Sequence, residues 1–310
     1  MNGTHPYGAD GAHGPDGPYE LDTARVRAAF ERSSVAYEGA AVLQARVADE
    51  LLERLEPLRL KPRTVLDLGA GTGRATAQLK RRYPRAQVIA LDLSPGMLRE
   101  ARHHLRLLRP FQRLCADAHQ LPIAGSCADL IFSSLMLQWC DLDVVFAEVR
   151  RVLTPEGFFA FSSFGPSTLQ ELRSAWAQAD SDGEAATHVN QFIDMHDVGD
   201  ALVRSGLMEP VLDVDRLQLT YTDTTALMRD LKTIGARNAT AGRSRSLTGK
   251  SRLTRLAAAY ETFRKEGRLP ATYEVVYGAT WGAAGRPAVP AVHGEARIPP
   301  GSLRRRTPSP

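Results

Sequence analysis

Three aspartates stand where a strand-and-helix chain would keep ligand-binding groups. Asp67 lies in Val65-Leu66-Asp67-Leu68-Gly69-Ala70-Gly71-Thr72-Gly73, an apolar run that opens into a G-x-G-x-G loop whose missing side chains let backbone approach a ligand closely. A nicotinamide or flavin fingerprint needs G-x-G-x-x-G, and the positions that would have to be glycine hold Arg74 and Thr76. A carboxylate fixed in the loop approach repels a pyrophosphate and attracts an ammonium group.

Asp92 ends Val88-Ile89-Ala90-Leu91, where a carboxylate is placed to accept hydrogen bonds from both hydroxyls of a ribose. Asp117 follows Arg113-Leu114-Cys115-Ala116, within reach of an adenine amino group. A tight turn accounts for the glycines alone, and helix caps account for single aspartates. Three acids in succession favour a nucleoside that carries an amino acid and no phosphate, which is the chemistry of S-adenosylmethionine.

The elements that must position these groups follow from hydrophobic spacing. Val26, Phe30, Val42, Leu43, Val47, Leu51, Leu52 and Leu55 predict two N-terminal helices, broken near Tyr37-Glu38-Gly39 and closed by Pro57. Strands are predicted at 64–68, 87–91, 112–115, 128–133 and 157–161, with helices from Arg74, Pro95 and Val144. Nearly continuous apolar strands alternating with helices predict a doubly wound α/β fold with a parallel sheet covered on both faces. Farther on, a helix at 198–205, strands at 210–219 and 271–280, and a polar helical insertion at 222–268 are expected.

At 310 residues with 43% hydrophobic and 24% charged positions, the chain suits one large core rather than two. The expected division is a tail at 1–20, a single domain at 21–282 and a tail at 283–310, both tails rich in Gly and Pro. Within the domain, 21–57 is a helical lid and 63–164 the cofactor core. No apolar run approaches the roughly 20 residues that cross a bilayer, and the first residues lack a secretory pattern, so a cytoplasmic protein is expected. Cys115, Cys127 and Cys140 have no C-x-x-C spacing, and His119, His188 and His196 are not spaced as a metal set, so no metal is expected. The excess of 39 basic over 35 acidic residues is too mild for a nucleic-acid groove.

The loop and its three acids resemble those of class I S-adenosylmethionine methyltransferases over residues 64–164. The resemblance implies a mostly parallel seven-stranded sheet with N-terminal helices and an insertion between the last two strands. It also implies that Gly69, Gly71 and Gly73 pass under the methionine part, that Asp92 holds the ribose, that Asp117 with Ala118 faces the adenine, and that Asp67, Ala70, Leu93 and Met97 belong to the same cofactor-binding set. The segment Ser133-Ser134-Leu135-Met136-Leu137-Gln138-Trp139 is similar to the family's segment beside the transferred methyl, which brings in Leu135 and Gln138; its other reading is a packed strand end.

Outside the core, Arg25–Arg32 with Tyr37 and Val42-Leu43-Gln44, then 164–172, 194–200 and 227–238, resemble the malonyl-acyl-carrier-protein O-methyltransferases of biotin synthesis. That resemblance implies methyl transfer to the free carboxyl of a malonyl thioester, with acyl carrier protein bearing malonyl-phosphopantetheine as the partner. A methyltransferase of free small acids, or a partner protein that binds the nucleoside without turnover, are the alternatives. Because a carboxylate is already ionised at neutral pH, no general base is assigned. Tyr37 is the candidate lid hydroxyl or a helix-packing tyrosine, Phe164 the candidate opposite wall, and Arg150 or Arg151 the candidate cation for the acceptor or else a surface arginine at a helix end. A basic face from Arg229, Lys232, Arg237, Arg243, Arg245, Lys250 and Arg252 would suit the anionic carrier.

Overall fold

Val65 packs into one half of the core while Leu66 and Leu68 pack into the other, so the first strand must be covered on both sides. The computed structural model, which describes residues 22–180, 188–236 and 249–284, achieves this with helices on each face of one seven-stranded sheet. In chain order the elements are α1 Thr23–Ala40, α2 Val42–Glu53, β1 Thr64–Leu68, α3 Arg74–Arg82, β2 Gln87–Asp92, α4 Pro95–Glu100, β3 Gln112–Cys115 and β4 Ala128–Ser134. There follow α5 Leu142–Val152, β5 Leu153–Phe164, α6 Gln170–Ala179, α7 Met195–Arg204, β6 Met208–Tyr221, α8 Thr224–Thr233, α9 Lys250–Glu261 and β7 Leu269–Trp281.

The strand order is β3-β2-β1-β4-β5-β7-β6, with β1 to β5 parallel and β7 antiparallel to both its neighbours. Strand order reverses at β1, which pairs with β2 on one side and β4 on the other. A crevice opens at such a switch point, outside the carboxyl ends of the strands. The described helices include none long and apolar enough to cross a membrane.

Several boundaries differ from those the spacing predicts. The first helix runs through Tyr37 to Ala40, and the break falls at Ala41, whose ψ of 46° leaves the helical region while its N–H still bonds to the Tyr37 carbonyl at 2.9 Å. Helix α5 starts two residues early because Asp141 caps it, accepting from the Val144 amide at 3.2 Å. Helix α6 lacks a sequence signal at its start: its N-cap is Leu169, with φ +54° and no side-chain cap. The insertion supplies α8 and α9, while Arg237, Arg243 and Arg245 lie outside the described residues, as do 1–21 and 285–310.

The antiparallel β5–β7 seam pairs Phe161 with Gly278, and a Cβ on Gly278 would fall inside the buried Phe161 ring. Gly278→Ala should therefore overpack this seam and cost about 1–3 kcal/mol, read as a lowered midpoint in chemical denaturation. An unchanged midpoint would show that the ring has room to move.

Candidate active site

The loop after β1 is held in place from β2. Gly69 and Ala70 donate their amides to the Leu91 carbonyl at 2.8 and 3.0 Å, and the Gly71 amide donates to Asp92 Oδ2 at 2.9 Å. The other Asp92 oxygen accepts from the Ser94 amide at 2.8 Å. Gly69 and Gly71 carry φ of +70° and +55°, a left-handed backbone that L side chains resist. Burial pushes the Asp92 carboxyl up to about 6, against the pull of these amides and with help from the nearby Glu31 charge.

These groups open onto a cavity of about 750 Å³, counting space that reaches solvent, above the ends of β1, β2 and β4. Gly69, Gly71, Asp92, Leu93, Met97, Asp117, Ala118 and Leu135 line it, and α1 covers it with Val26, Phe30 and Tyr37. Glu31 fastens α1 in that position, accepting from Ser94 Oγ at 2.7 Å, the Gly96 amide at 2.6 Å and Arg99 at 2.5 Å. The Ser94 bond leads the effects that hold its carboxyl below the usual range. Tyr37 makes no hydrogen bond through its hydroxyl among the described residues, and burial, then the Asp92 charge, raises its phenol well above the ordinary value.

Asp117 accepts from the His119 amide at 2.9 Å and lies 2.6 Å from His119 Nδ1. The other ring nitrogen accepts from the Asp141 amide at 3.0 Å, so the proton sits on Nδ1 and the ring donates to Asp117. Burial opposes ionisation of Asp117, yet the His119 amide and ring outweigh it and keep the carboxyl below its ordinary value.

Other expected residues stand elsewhere. Asp67 does not line the cavity: it is fully buried, accepts from Thr76 Oγ1 at 2.5 Å, and is raised to about 7 by burial. Ala70 and Gly73 do not line the cavity, and Gly73 caps α3. Gln138 turns back to donate to the Leu135 carbonyl at 2.7 Å, leaving its Oε1 buried with no partner among the described residues. Arg150 does not reach the site. Its Nε donates to the Gly206 carbonyl at 3.2 Å, because the end of α5 leads into the start of β5, away from the carboxyl ends of the strands. Arg151 is likewise spent on Glu148 and the carbonyls of Leu121 and Ile123.

A second cavity, about 1540 Å³ including open space, meets the first at Trp139, which lines both. Phe164 belongs to this second cavity, its ring 5.7 Å from those of Phe192 and Tyr273. One wall is α6 with Leu172 and Trp176, another is the α8 face formed by Thr224, Met228, Leu231 and Lys232. His188 stacks on Trp176 at 3.9 Å and stands 3.0 Å from Asp180, which Arg252 also grips. Arg252 is thereby buried in an ion pair and removed from any basic outer face. The spacing of Thr224, Met228 and Leu231 is the one sequence signal for this wall, while His188 and Phe192 come from a stretch with no periodicity.

The methyltransferase domain family matches residues 66–161. A malonyl-[acyl-carrier protein] O-methyltransferase of Laribacter hongkongensis is 53% identical over 278 residues, covering 87% of this chain and 92% of that protein. The enzymes of the same name from Methylovorus sp. and Halorhodospira halophila are 50% and 48% identical, covering 88% and 94% of this chain and 93% and 99% of theirs. The chain belongs to the malonyl-[acyl-carrier protein] O-methyltransferase family. Among solved structures, the YcgJ protein of Bacillus subtilis superposes with a TM-score of 0.55 at 14% identity, covering 76% of this chain and 99% of that one. A Bacillus halodurans C-125 protein gives 0.53 at the same identity, over 76% of this chain and 97% of its own. These two likenesses extend to the fold.

In this methyltransferase the two exposed-to-cavity glycines should respond differently to a methyl group. A Cβ on Gly69 would overlap the Met136 side chain, whereas one on Gly71 meets nothing within 4 Å. Gly71→Ala is expected to cost about 1–2 kcal/mol from its backbone alone, and Gly69→Ala distinctly more. Thermal melts of the donor-free variants check this, and equal losses would contradict it.

Proposed function

We propose that the protein transfers a methyl group from S-adenosylmethionine to the free carboxyl of a malonyl group carried on acyl carrier protein, giving the methyl ester that begins biotin synthesis. The observation that carries this reading is the pair of cavities joined at Trp139, one acid-lined and glycine-floored, the other apolar and long. The names of relatives at about half identity over most of the chain support the acceptor. In this reading 21–57 is the lid, 63–164 the donor core, and the insertion at 222–268 shapes the acceptor side. Unpaired thiols at Cys115, Cys127 and Cys140 suit a cytoplasmic setting.

The residues lining the first cavity fit the donor. The open space over Gly71 admits a ligand against backbone, Asp92 presents a carboxylate for ribose hydroxyls, and Asp117 presents one for an adenine amino group. Asp67 acts from beneath, through Thr76 and the loop, rather than by touching the donor's ammonium group. When bound, S-adenosylmethionine supplies an electrophilic methyl, whose passage to a carboxylate oxygen makes one C–O bond, breaks one C–S bond, leaves that pair on sulfur and moves no proton.

The chain's own part is placement and exclusion of water. Phe30 lies edge-on to Trp139 at 5.5 Å and closes the junction of the cavities from above. Tyr37 stays protonated at any working pH and so serves as a hydroxyl donor under the lid, not as a base. Phe164, Phe192 and Tyr273 keep the acceptor side dry. Esterification removes the charge of the malonyl end, so the product looks like an ordinary acyl chain to elongation enzymes.

Malonyl-carrier incubated with protein and donor should gain the mass of one methyl on the malonyl moiety, with malonyl-coenzyme A and free malonate methylated more slowly. No gain in protein that binds the donor would sink this reading. Donor affinity should also depend on pH. Asp92, raised to about 6, protonates as pH falls from about 7 to 5 and ceases to accept from both ribose hydroxyls, so affinity should drop by up to roughly tenfold per unit. Calorimetry on Asp92→Asn should find weak binding without that slope, and an identical slope would move the titration to another group.

A further inference from the structure

Resting on the acceptor proposed above, we infer that Lys232 seats the acceptor's carboxylate and selects acyl groups that end in one. A malonyl end brings a negative charge into a largely apolar cavity, and a buried charge needs a counter-charge or donor. The cations around that cavity are otherwise engaged. Arg252 is held by Asp180 at 2.5 Å, and Arg173 donates to the carbonyls of Pro166 and Thr168 at 2.7 and 2.6 Å. Lys232 lines the cavity, and its ammonium has no hydrogen-bond or ion-pair partner among the described residues.

Its place along α8 suits the chemistry. Just after Lys232 the chain turns at Gly235, with φ +75°, so close under α1 that a Cβ there would stand 3.4 Å from Phe30. Phe30 packs on Trp139, which lines both cavities. The Lys232 end of α8 is thus the end nearest the donor cavity. Eight residues earlier, about 12 Å along the helix axis, Thr224 lines the far part of the cavity with a buried hydroxyl that has no partner among the described residues. A ligand lying along α8 would meet a neutral polar contact at Thr224 and a positive charge at Lys232, an order that fits an amide-containing arm ending in a carboxylate. Lys232 is an exposed residue, so its ammonium can approach a carboxylate as the acceptor arrives, without storing an unpaired charge in the core.

The test compares wild type with Lys232→Met and Lys232→Arg. With malonyl-carrier at saturating donor, K232M should raise KM by roughly tenfold or more, as expected for losing a charge-assisted bond, while K232R stays within about threefold. The donor's Kd should not move in either variant. Competition supplies the second readout: wild type should bind malonyl-carrier more than roughly tenfold better than acetyl-carrier, and K232M should bind the two alike. An unchanged KM, preserved discrimination in K232M, or a parallel loss of donor binding each overturns the assignment. Wild-type protein that leaves malonyl-carrier unmethylated fails at the earlier step and removes the functional reading together with this one.

Discussion

The carbonyl of Leu91 and the carboxylate of Asp92 hold the loop on which everything else at the site depends. The carbonyl receives two amides of the β1 loop, and the carboxylate bridges that loop to the turn that starts α4. The chain ends of β1 and β2 are therefore one rigid unit, reached only because Gly69 and Gly71 accept a left-handed backbone. Neither strand end would define a ligand surface without the other.

That unit has a cost in buried charge. Asp67 and Asp92 are both raised toward neutral pH, and both are partly offset by donors, Thr76 for one and backbone amides for the other. A positive charge nearby would favour the ionised form of either carboxyl. Glu31 works in the opposite sense: it is well supplied with donors from Ser94, Gly96 and Arg99, and so pins the covering helix to the same turn that Asp92 organises. Cover and floor thus share one anchor, and opening the cover requires breaking charge-assisted bonds around Ser94 and Arg99.

Around the second cavity the structure spends its cations sparingly. Arg252 is stacked beside Trp176 and tied to Asp180, a buried cluster whose role is to fix the wall that His188 continues. The arginines at the end of α5 serve the opposite end of the strands, because a helix that leads from a strand's carboxyl end into the next strand's start must end far from the crevice. Chain direction in a parallel sheet thereby excludes them from the chemistry.

Sequence by itself determined the class of fold and much of the lining of the first cavity. Apolar strands in alternation with helices place β1 to β4 nearly to the residue and the middle of β5, which extends to Leu153–Phe164, and the loop glycines with Asp92 and Asp117 lie on contiguous stretches whose geometry is local. Covering residues such as Tyr37 were also visible, though not the extension of α1 through them, since the break depends on one backbone torsion at Ala41. The second cavity was decided only by tertiary structure. Phe164, Trp176, His188, Phe192 and the α8 face come from segments far apart in sequence, and they share a cavity only because β7 inserts between β5 and β6 while the segment between β6 and β7 sets α9 against α6 and α8 against α1. A charged side chain's spacing says nothing about which groups it will meet, so Arg150 and Lys232 could be told apart only once the sheet gave the chain its two edges.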